Sequence, residues 1–312
     1  MQLTDALPED LEQALLIGRL LTAEGPTPVT VRSGRVFDMS AVRPTVSALL
    51  AEPATLGAQG QDLGMLAEMD IVAAGGGSES LLSPLDLQCV KAAGVTFAAS
   101  TLERVIEERA RGNPALASSI REALSKRIGS EIRSIVPGSP EADRLKQALI
   151  EDGLWSQYLE VAIGPYAEVF TKAPVLSTVG WGAEIGVRSD STWNNPEPEI
   201  LLVCDPSGKA VGASLGNDVN LRDIEGRSAL LLGKAKDNNA SCAIGPFIRL
   251  FDGAFTMDDV RSAVVRLKVT GEDGFVMEGE NRMSEISRDP EDLAAQVMSE
   301  HYYPDGFALF LG

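Results

Sequence analysis

The sequence predicts an α+β fold that is mostly β, with a small mixed N-terminal domain and helical insertions. Three observations carry that expectation. From about residue 160 onward, short apolar runs of strand length are separated by Gly-rich turns. Between about residues 100 and 158 helix formers dominate. The first 80 or so residues mix strand and helix signals. Runs of strands with a separate helical zone point to α+β rather than to an alternating βα design.

In the opening region, Val29-Thr30-Val31 and Arg35-Val36 read as paired strands around a turn at Ser33-Gly34. Ala41 to Leu50 fits a short helix. Ala73-Ala74-Gly75-Gly76-Gly77-Ser78 reads as a connector by composition. It sets an expected division into a small mixed domain over 1–82 and a catalytic domain over 83–312. Helices are expected over Ser100–Arg111, Asn113–Arg127 and Pro140–Tyr158. The last has Ser139 as N-cap, Pro140 at the first helical position and Glu141 in the first turn. Ile200-Leu201-Leu202-Val203-Cys204 is an unbroken apolar run, expected to be a buried strand. Asp205-Pro206-Ser207-Gly208 turns it, and Ala210 to Leu215 returns as the second arm of a hairpin. Val264–Thr270 and Phe275–Glu278 suggest another hairpin around Glu272-Asp273-Gly274. There is no internal repeat.

Composition removes several function classes. In 312 residues, 44% are hydrophobic and 23% charged, enough for a sizeable core. No apolar run approaches the roughly 18 residues that a membrane span needs, and Met1-Gln2-Leu3-Thr4-Asp5 lacks a leader's basic flank. The net charge of −18 and the lack of a dense Lys/Arg cluster argue against nucleic acid. The same acidity means that an anionic substrate needs a local cationic site. Cys89, Cys204 and Cys242 are far apart and flanked by apolar residues, which suits inert thiols in a reducing cytoplasm. The only histidine, His301, rules out a three-His zinc site.

The chemistry concentrates where Asn194-Asn195-Pro196-Glu197-Pro198-Glu199 runs into the buried strand. Residues i and i+2 of an extended chain share a face, about 7 Å apart. Glu197 and Glu199 therefore point the same way and repel unless a cation joins them. Alone, such a pair is more often a solvated strand end. Asp218, closing the return arm in Gly216-Asn217-Asp218, changes that reading. Hairpin pairing brings it back beside both glutamates. Three carboxylates with open positions suit Mg²⁺, Mn²⁺ or Ca²⁺ rather than zinc. Arg222 and Lys236 follow within twenty residues of Asp218. A cation beside a bound metal can pair with a substrate carboxylate or a developing enolate, although Lys236 alone also reads as a surface lysine.

Glu197-Pro198-Glu199, Asn217-Asp218 with Arg222-Asp223, and Lys236 before Gly245-Pro246 together resemble the fumarylacetoacetate hydrolase family in order and spacing. The resemblance spans about residues 85 to 312. It implies a β-roll core, Mg²⁺ (with Mn²⁺ as a substitute) held by Glu197, Glu199 and Asp218, and substrate contacts from Arg222 and Lys236. Longer stretches are similar to the family's dehydratase branch acting on 2-keto-3-deoxypentonates: Leu85-Asp86-Leu87-Gln88-Cys89, Gly153 to Tyr158, Ser191-Thr192-Trp193-Asn194-Asn195, Lys236 to Cys242, and Tyr303 to Phe307. Within them, Asn194 and Asn239 are expected at the substrate. Where the family's hydrolases place a His and a Glu on a lid helix, this chain has Ser100 and Glu103. Without the histidine, water activation for C–C hydrolysis is disfavoured. A carboxyl at Glu103 can still move a proton, with Glu107 one turn on as a competitor. The resemblance thus implies a cytoplasmic, homodimeric lyase of pentose breakdown. It would take a 2-oxo sugar acid to 2-oxoglutarate semialdehyde, with Lys236, Glu103 and Arg222 catalytic and Ser100 at the substrate. Alternatives on the same fold are an acylpyruvate-type hydrolase, an oxaloacetate decarboxylase, or an inactive 2-oxo-acid-binding protein. His301 either lines the pocket or is structural. Family members continue beyond Leu309-Phe310-Leu311-Gly312, so the resemblance also implies a C-terminally truncated catalytic domain.

Overall fold

A computed structural model describes residues 3–71, 80–110, 114–127 and 135–312. The expected connector at 73–78 lies outside them, as does Arg111. Contacts divide the chain into two compact units. The first comprises Met1–Ala92, Thr171–Val260 and Met298–Phe310; the second comprises Ala93–Phe170, Arg261–Val297 and Leu311–Gly312.

The strands are β1 (Leu15–Thr22), β2 (Gly25–Arg32), β3 (Arg35–Asp38), β4 (Gln61–Met65), β5 (Ser80–Leu82), β6 (Cys89–Gly94), β7 (Glu168–Ala173), β8 (Asn194–Asn195), β9 (Pro198–Cys204), β10 (Ala210–Asp218), β11 (Asn220–Leu221), β12 (Cys242–Ile244), β13 (Ile248–Leu250), β14 (Val264–Thr270), β15 (Val276–Arg282) and β16 (Phe307–Phe310). The helices are α1 (Val46–Ala51), α2 (Ala98–Ala110), α3 (Pro114–Arg127), α4 (Pro140–Glu151), α5 (Gln157–Ile163), α6 (Arg222–Glu225), α7 (Leu232–Lys236), α8 (Met257–Ser262) and α9 (Pro290–Met298).

One large sheet runs in the order β4-β3-β2-β1-β13-β10-β9-β16-β6-β7, with β12 on β10 and β5 on β1. Residue 82, the expected domain edge, is the last residue of β5. The N-terminal strands reach the central hairpin through β1 against β13, where Ile17 faces Ile248. The segments of the two compact units alternate along the chain. β9 is an interior strand of the sheet. Leu201, Leu202 and Val203 have no exposed surface, and the backbone of β9 pairs with β10 along one edge and β16 along the other. A strand covered on both faces is apolar throughout, which explains the unbroken run.

Local chemistry explains where the elements start and stop. The β2–β3 turn has Ser33 and Gly34 at positive φ, 48° and 68°, as a two-residue hairpin turn requires. The first helix is shorter than the expected Ala41–Leu50. It begins after Thr45, whose hydroxyl accepts from Ala48 N, because Pro44 disfavours helix in the residue before it. The expected Pro140–Tyr158 helix is two helices. Its start is as expected, with Ser139 accepting from Ala142 N. It stops at Asp152, and Gly153 at φ 66° turns the chain before Ser156 caps α5. In the second unit Val105, Ile106, Leu124, Leu149, Leu159 and Ile163 form one apolar cluster of the helices. The β14–β15 hairpin pairs Val264 with Arg282, longer than the expected arm ending at Glu278.

Candidate metal centre

The β9–β10 hairpin builds the site. Its register sets Gly216 opposite Glu199 and Asn217 opposite Pro198. Gly216 is required there: a Cβ would lie 2.5 Å from the Phe310 ring. Beyond the ladder, Asp218 N donates to Glu197 O at 2.9 Å, and Glu197 N donates to Asn217 Oδ1 at 3.0 Å. The hairpin thus brings Glu197, Glu199 and Asp218 together, with one oxygen of each within 4.8 Å of the others. Glu199 and Asp218 are buried, and Glu197 is half-buried.

Glu197 is held in place by two amides that face each other across β8 and β11. Asn220 Nδ2 donates to Glu197 Oε1 at 3.0 Å, and Asn195 Nδ2 does so at 3.3 Å. Asn220 also donates to Glu225 Oε2 at 2.6 Å. Asp223 ties down the approach to β8. It accepts from Ser191 Oγ at 2.7 Å and Thr192 N at 3.1 Å. These donors hold its carboxyl below the ordinary range, the Thr192 amide most.

Lys236 ends α7 and reaches into the cluster. Its ammonium donates to Glu197 Oε2 and, at 2.8 Å, to Asp218 Oδ2. Burial works to lower its pKa, but the charges of Asp218, Glu197 and Glu199 outweigh burial and raise it. Lys236 is therefore a firmly charged ammonium in this cluster. A second ammonium, Lys172 of β7, lies 2.9 Å from Asp218 Oδ1 and is fully buried.

The donor set fits a hard divalent cation. All three candidate ligands offer carboxylate oxygen, and there is no soft ligand in the group. Asp218 Oδ1 is buried without a hydrogen bond of good geometry, its contact to Lys172 being an ion pair only. That leaves a lone pair for an ion. Burial pushes the thiol of Cys242, nearby on β12, up to about 12, and it is not one of the grouped ligands.

The other expected site residues fall differently. Arg222 begins α6 and lies 3.4 Å from Glu225 Oε2. Asn194, in β8, and Asn239, in the turn after α7, are exposed. His301 is exposed and stacks on Tyr303, with ring centroids 4.3 Å apart. Glu103, in α2 of the second unit, is exposed and pairs with Arg121 at 2.7 Å. Ser100 belongs to α2, and its side chain lies outside the described residues, as does that of Glu107. Sequence reasoning missed three contributors: Asn195 and Asn220 as holders of Glu197, and Lys172. Asn195 adjoins Asn194, and Asn220 lies two residues from both Asp218 and Arg222, so nearness in sequence was an available signal. Lys172 had none, because a lysine in a short strand ending at a proline normally reads as exposed.

No family model matches the sequence. Two curated relatives do. A 2-dehydro-3-deoxy-D-arabinonate dehydratase of Saccharolobus solfataricus is 34% identical over 148 residues, 46% of this chain and 48% of the relative. A probable 2-keto-3-deoxyxylonate dehydratase of Haloferax volcanii is 30% identical over 162 residues, 52% of this chain and 55% of the relative. The chain thus matches about half the length of these relatives. Among solved structures, a hexagonal crystal form of 2-keto-3-deoxyarabinonate dehydratase aligns with TM-score 0.67 at 21% identity, over 95% of this chain and 87% of the other. The same enzyme complexed with magnesium and 2,5-dioxopentanoate aligns with TM-score 0.66 at 20% identity, with the same coverage. A 5-carboxymethyl-2-hydroxymuconate delta-isomerase of Mycobacterium smegmatis aligns with TM-score 0.54 at 15% identity, over 95% and 86%.

The chain therefore has the fold of these solved structures, an α+β architecture that is mostly β. The relatives similar to it in sequence carry the dehydratase name that the resemblance implied. Among the described residues, no helix is long and apolar enough to cross a membrane.

Proposed function

We propose that this chain is a magnesium-dependent hydro-lyase that dehydrates a 2-keto-3-deoxypentonate to 2,5-dioxopentanoate (2-oxoglutarate semialdehyde) and water. The observation that carries the reading is the carboxylate triad, two of its members buried and one half-buried, with Lys236 bonded to two of them. The dehydratase relatives, and the magnesium and 2,5-dioxopentanoate complex of a protein with this fold, support it.

Glu197, Glu199 and Asp218 would hold the ion, which supplies Lewis acidity toward the 2-oxo group. Lys236 sits where a substrate oxygen next to the triad gains negative charge, so its ammonium stabilises the enolate formed when a C3 proton leaves. As a base it would first have to lose the carboxylate charges that now raise its pKa. Arg222 pairs with the substrate carboxylate by leaving Glu225. Glu103 acts as the proton shuttle: its carboxylate takes the C3 proton and gives it to the departing C4 hydroxyl, which leaves as water. The unsaturated product then loses one C5–H proton and the C5 hydroxyl proton and gains one proton each at C3 and C4, which creates the aldehyde without an outside oxidant. The reading further includes Asn194, Asn239, Ser100 and His301 at the substrate, a folding domain over 83–312 after a small one over 1–82, a cytoplasmic homodimer, and a place in pentose breakdown.

Proton NMR of reactions with 2-keto-3-deoxy-D-xylonate, with an acylpyruvate and with oxaloacetate tests this. Formation of 2,5-dioxopentanoate from the first alone supports dehydration. Pyruvate from either of the other two, with the sugar acid untouched, overturns it in favour of C–C hydrolysis or decarboxylation.

A further inference from the structure

Lys172 is among the largest fully buried side chains of the described residues. An ammonium is costly to bury unless its three donors find partners. Here they do. Lys172 Nζ donates to Val219 O at 2.8 Å and to Lys236 O, and it lies 2.9 Å from Asp218 Oδ1. These are not arbitrary acceptors. Val219 is the residue after Asp218, at the junction of β10 and β11. Lys236 is the last residue of α7 and the other ammonium of the centre. Asp218 is gripped between them, with Oδ2 on Lys236 and Oδ1 facing Lys172. Ser241 Oγ adds a second donor to Lys236 O at 3.1 Å.

We infer that Lys172 is a positioning residue, an interior cation that fixes Asp218 and the backbone of Lys236 relative to each other and thereby sets the affinity of the triad for its metal ion. The inference rests on the reading of the triad as a metal centre. A plain space-filling lysine would be expected to use its donors on whatever backbone lay nearest. This one instead joins two separate segments, each carrying a group of the centre. It also balances charge. Counted as ionised, three carboxylates and two ammoniums leave one negative charge, a divalent ion reverses it, and a singly charged 2-oxo acid restores neutrality. Lys172 thus leaves the loaded site attractive to an anion, although the chain as a whole is strongly acidic.

The sign of one effect separates positioning from the alternatives. Charge repulsion alone predicts that removing Lys172 tightens divalent-ion binding. A purely structural lysine predicts unchanged affinity in whatever fraction is folded. Positioning predicts weaker binding, in the range of about 10- to 100-fold typical when a metal ligand loses its support. The experiment is a Mn²⁺ titration followed by electron paramagnetic resonance on the wild type and on the folded fraction of Lys172→Met. A tenfold or greater rise in Kd for the variant supports the inference; an equal or lower Kd overturns it. A wild type that binds no Mn²⁺ overturns the metal reading itself, and the inference with it.

Should Lys172→Met not fold, lysine-selective ¹⁵N NMR of the native chain decides. The inference expects an exchange-protected lysine ammonium signal that Mn²⁺ broadens and that survives in Lys236→Met. A protected signal that Mn²⁺ leaves sharp, or none at all, overturns it.

Discussion

Asp218→Asn is the most informative single change, because it removes the anion between two buried ammoniums. Two effects compete. Losing Asp218 relieves repulsion among carboxylates whose ligand oxygens lie within 4.8 Å of one another. It also strips Lys236 of a partner at 2.8 Å and Lys172 of one at 2.9 Å. Coulomb energy falls with distance, so the shorter attractive contacts win. Breaking a buried pair from one side costs about 3–5 kcal/mol. Asn keeps one acceptor oxygen, and Glu197 still compensates Lys236, so we expect the low end, about 3 kcal/mol. For a chain of this size that lowers Tm by about 5 °C. The assay is urea and thermal unfolding in EDTA, repeated with excess Mg²⁺. The wild type should gain about 2.7 kcal/mol at a hundredfold excess of ion over Kd, and the variant almost nothing. A variant as stable as wild type in EDTA, or one equally stabilised by Mg²⁺, would refute this reasoning.

Other expectations follow from the same geometry. Asn220→Ala, which frees Glu197 Oε1 of its 3.0 Å donor, should weaken Mg²⁺ activation about 10- to 100-fold, read from the metal dependence of initial rates. Lys236 holds a pKa above its ordinary 10.5 in the fold. A raised folded value means that its stabilising contribution is complete below the unfolded pKa and fades as pH rises through the folded one. The stability difference between metal-free wild type and Lys236→Met should therefore be level from about pH 7 to about pH 10 and shrink above that, as urea midpoints across the range will show. Glu103→Gln should lower kcat by about 10²-fold or more while leaving Tm unchanged, since an exposed pair with Arg121 adds little to stability. Unchanged kcat would remove Glu103 from the mechanism. Cys204 and Cys242 have thiols raised by burial, so native protein should leave both unmodified by iodoacetamide at neutral pH and expose them only in denaturant, as mass spectrometry of the alkylated chain will report.

The sequence made the hairpin legible because its signals were strong and local. An apolar run, a Pro-Ser-Gly turn and a returning arm place Asp218 beside Glu197 without knowledge of the rest. The same holds for Ser139 and the β2–β3 turn. The misses have physical causes too. Pro44 shortens the first helix and Gly153 divides the fourth, both local signals passed over in favour of helical composition. The sheet order, with β16 between β9 and β6, depends on pairings separated by a hundred residues or more, which local pattern does not encode. Lys172 was hidden for the same reason. Its acceptors, Val219 O and Lys236 O, are 47 and 64 residues away, and a buried lysine looks like an exposed one until those carbonyls are placed around it.

The most direct test of the central claim measures metal binding and turnover on the same samples. Calorimetric titration of Mg²⁺ gives Kd, and NMR detection of 2,5-dioxopentanoate from 2-keto-3-deoxy-D-xylonate gives the Mg²⁺ concentration for half-activation. We expect the two to coincide in the wild type, EDTA to abolish turnover, and Glu199→Gln to lose both binding and product. Undiminished product in EDTA, or a Glu199→Gln variant near wild-type rate, would contradict the account.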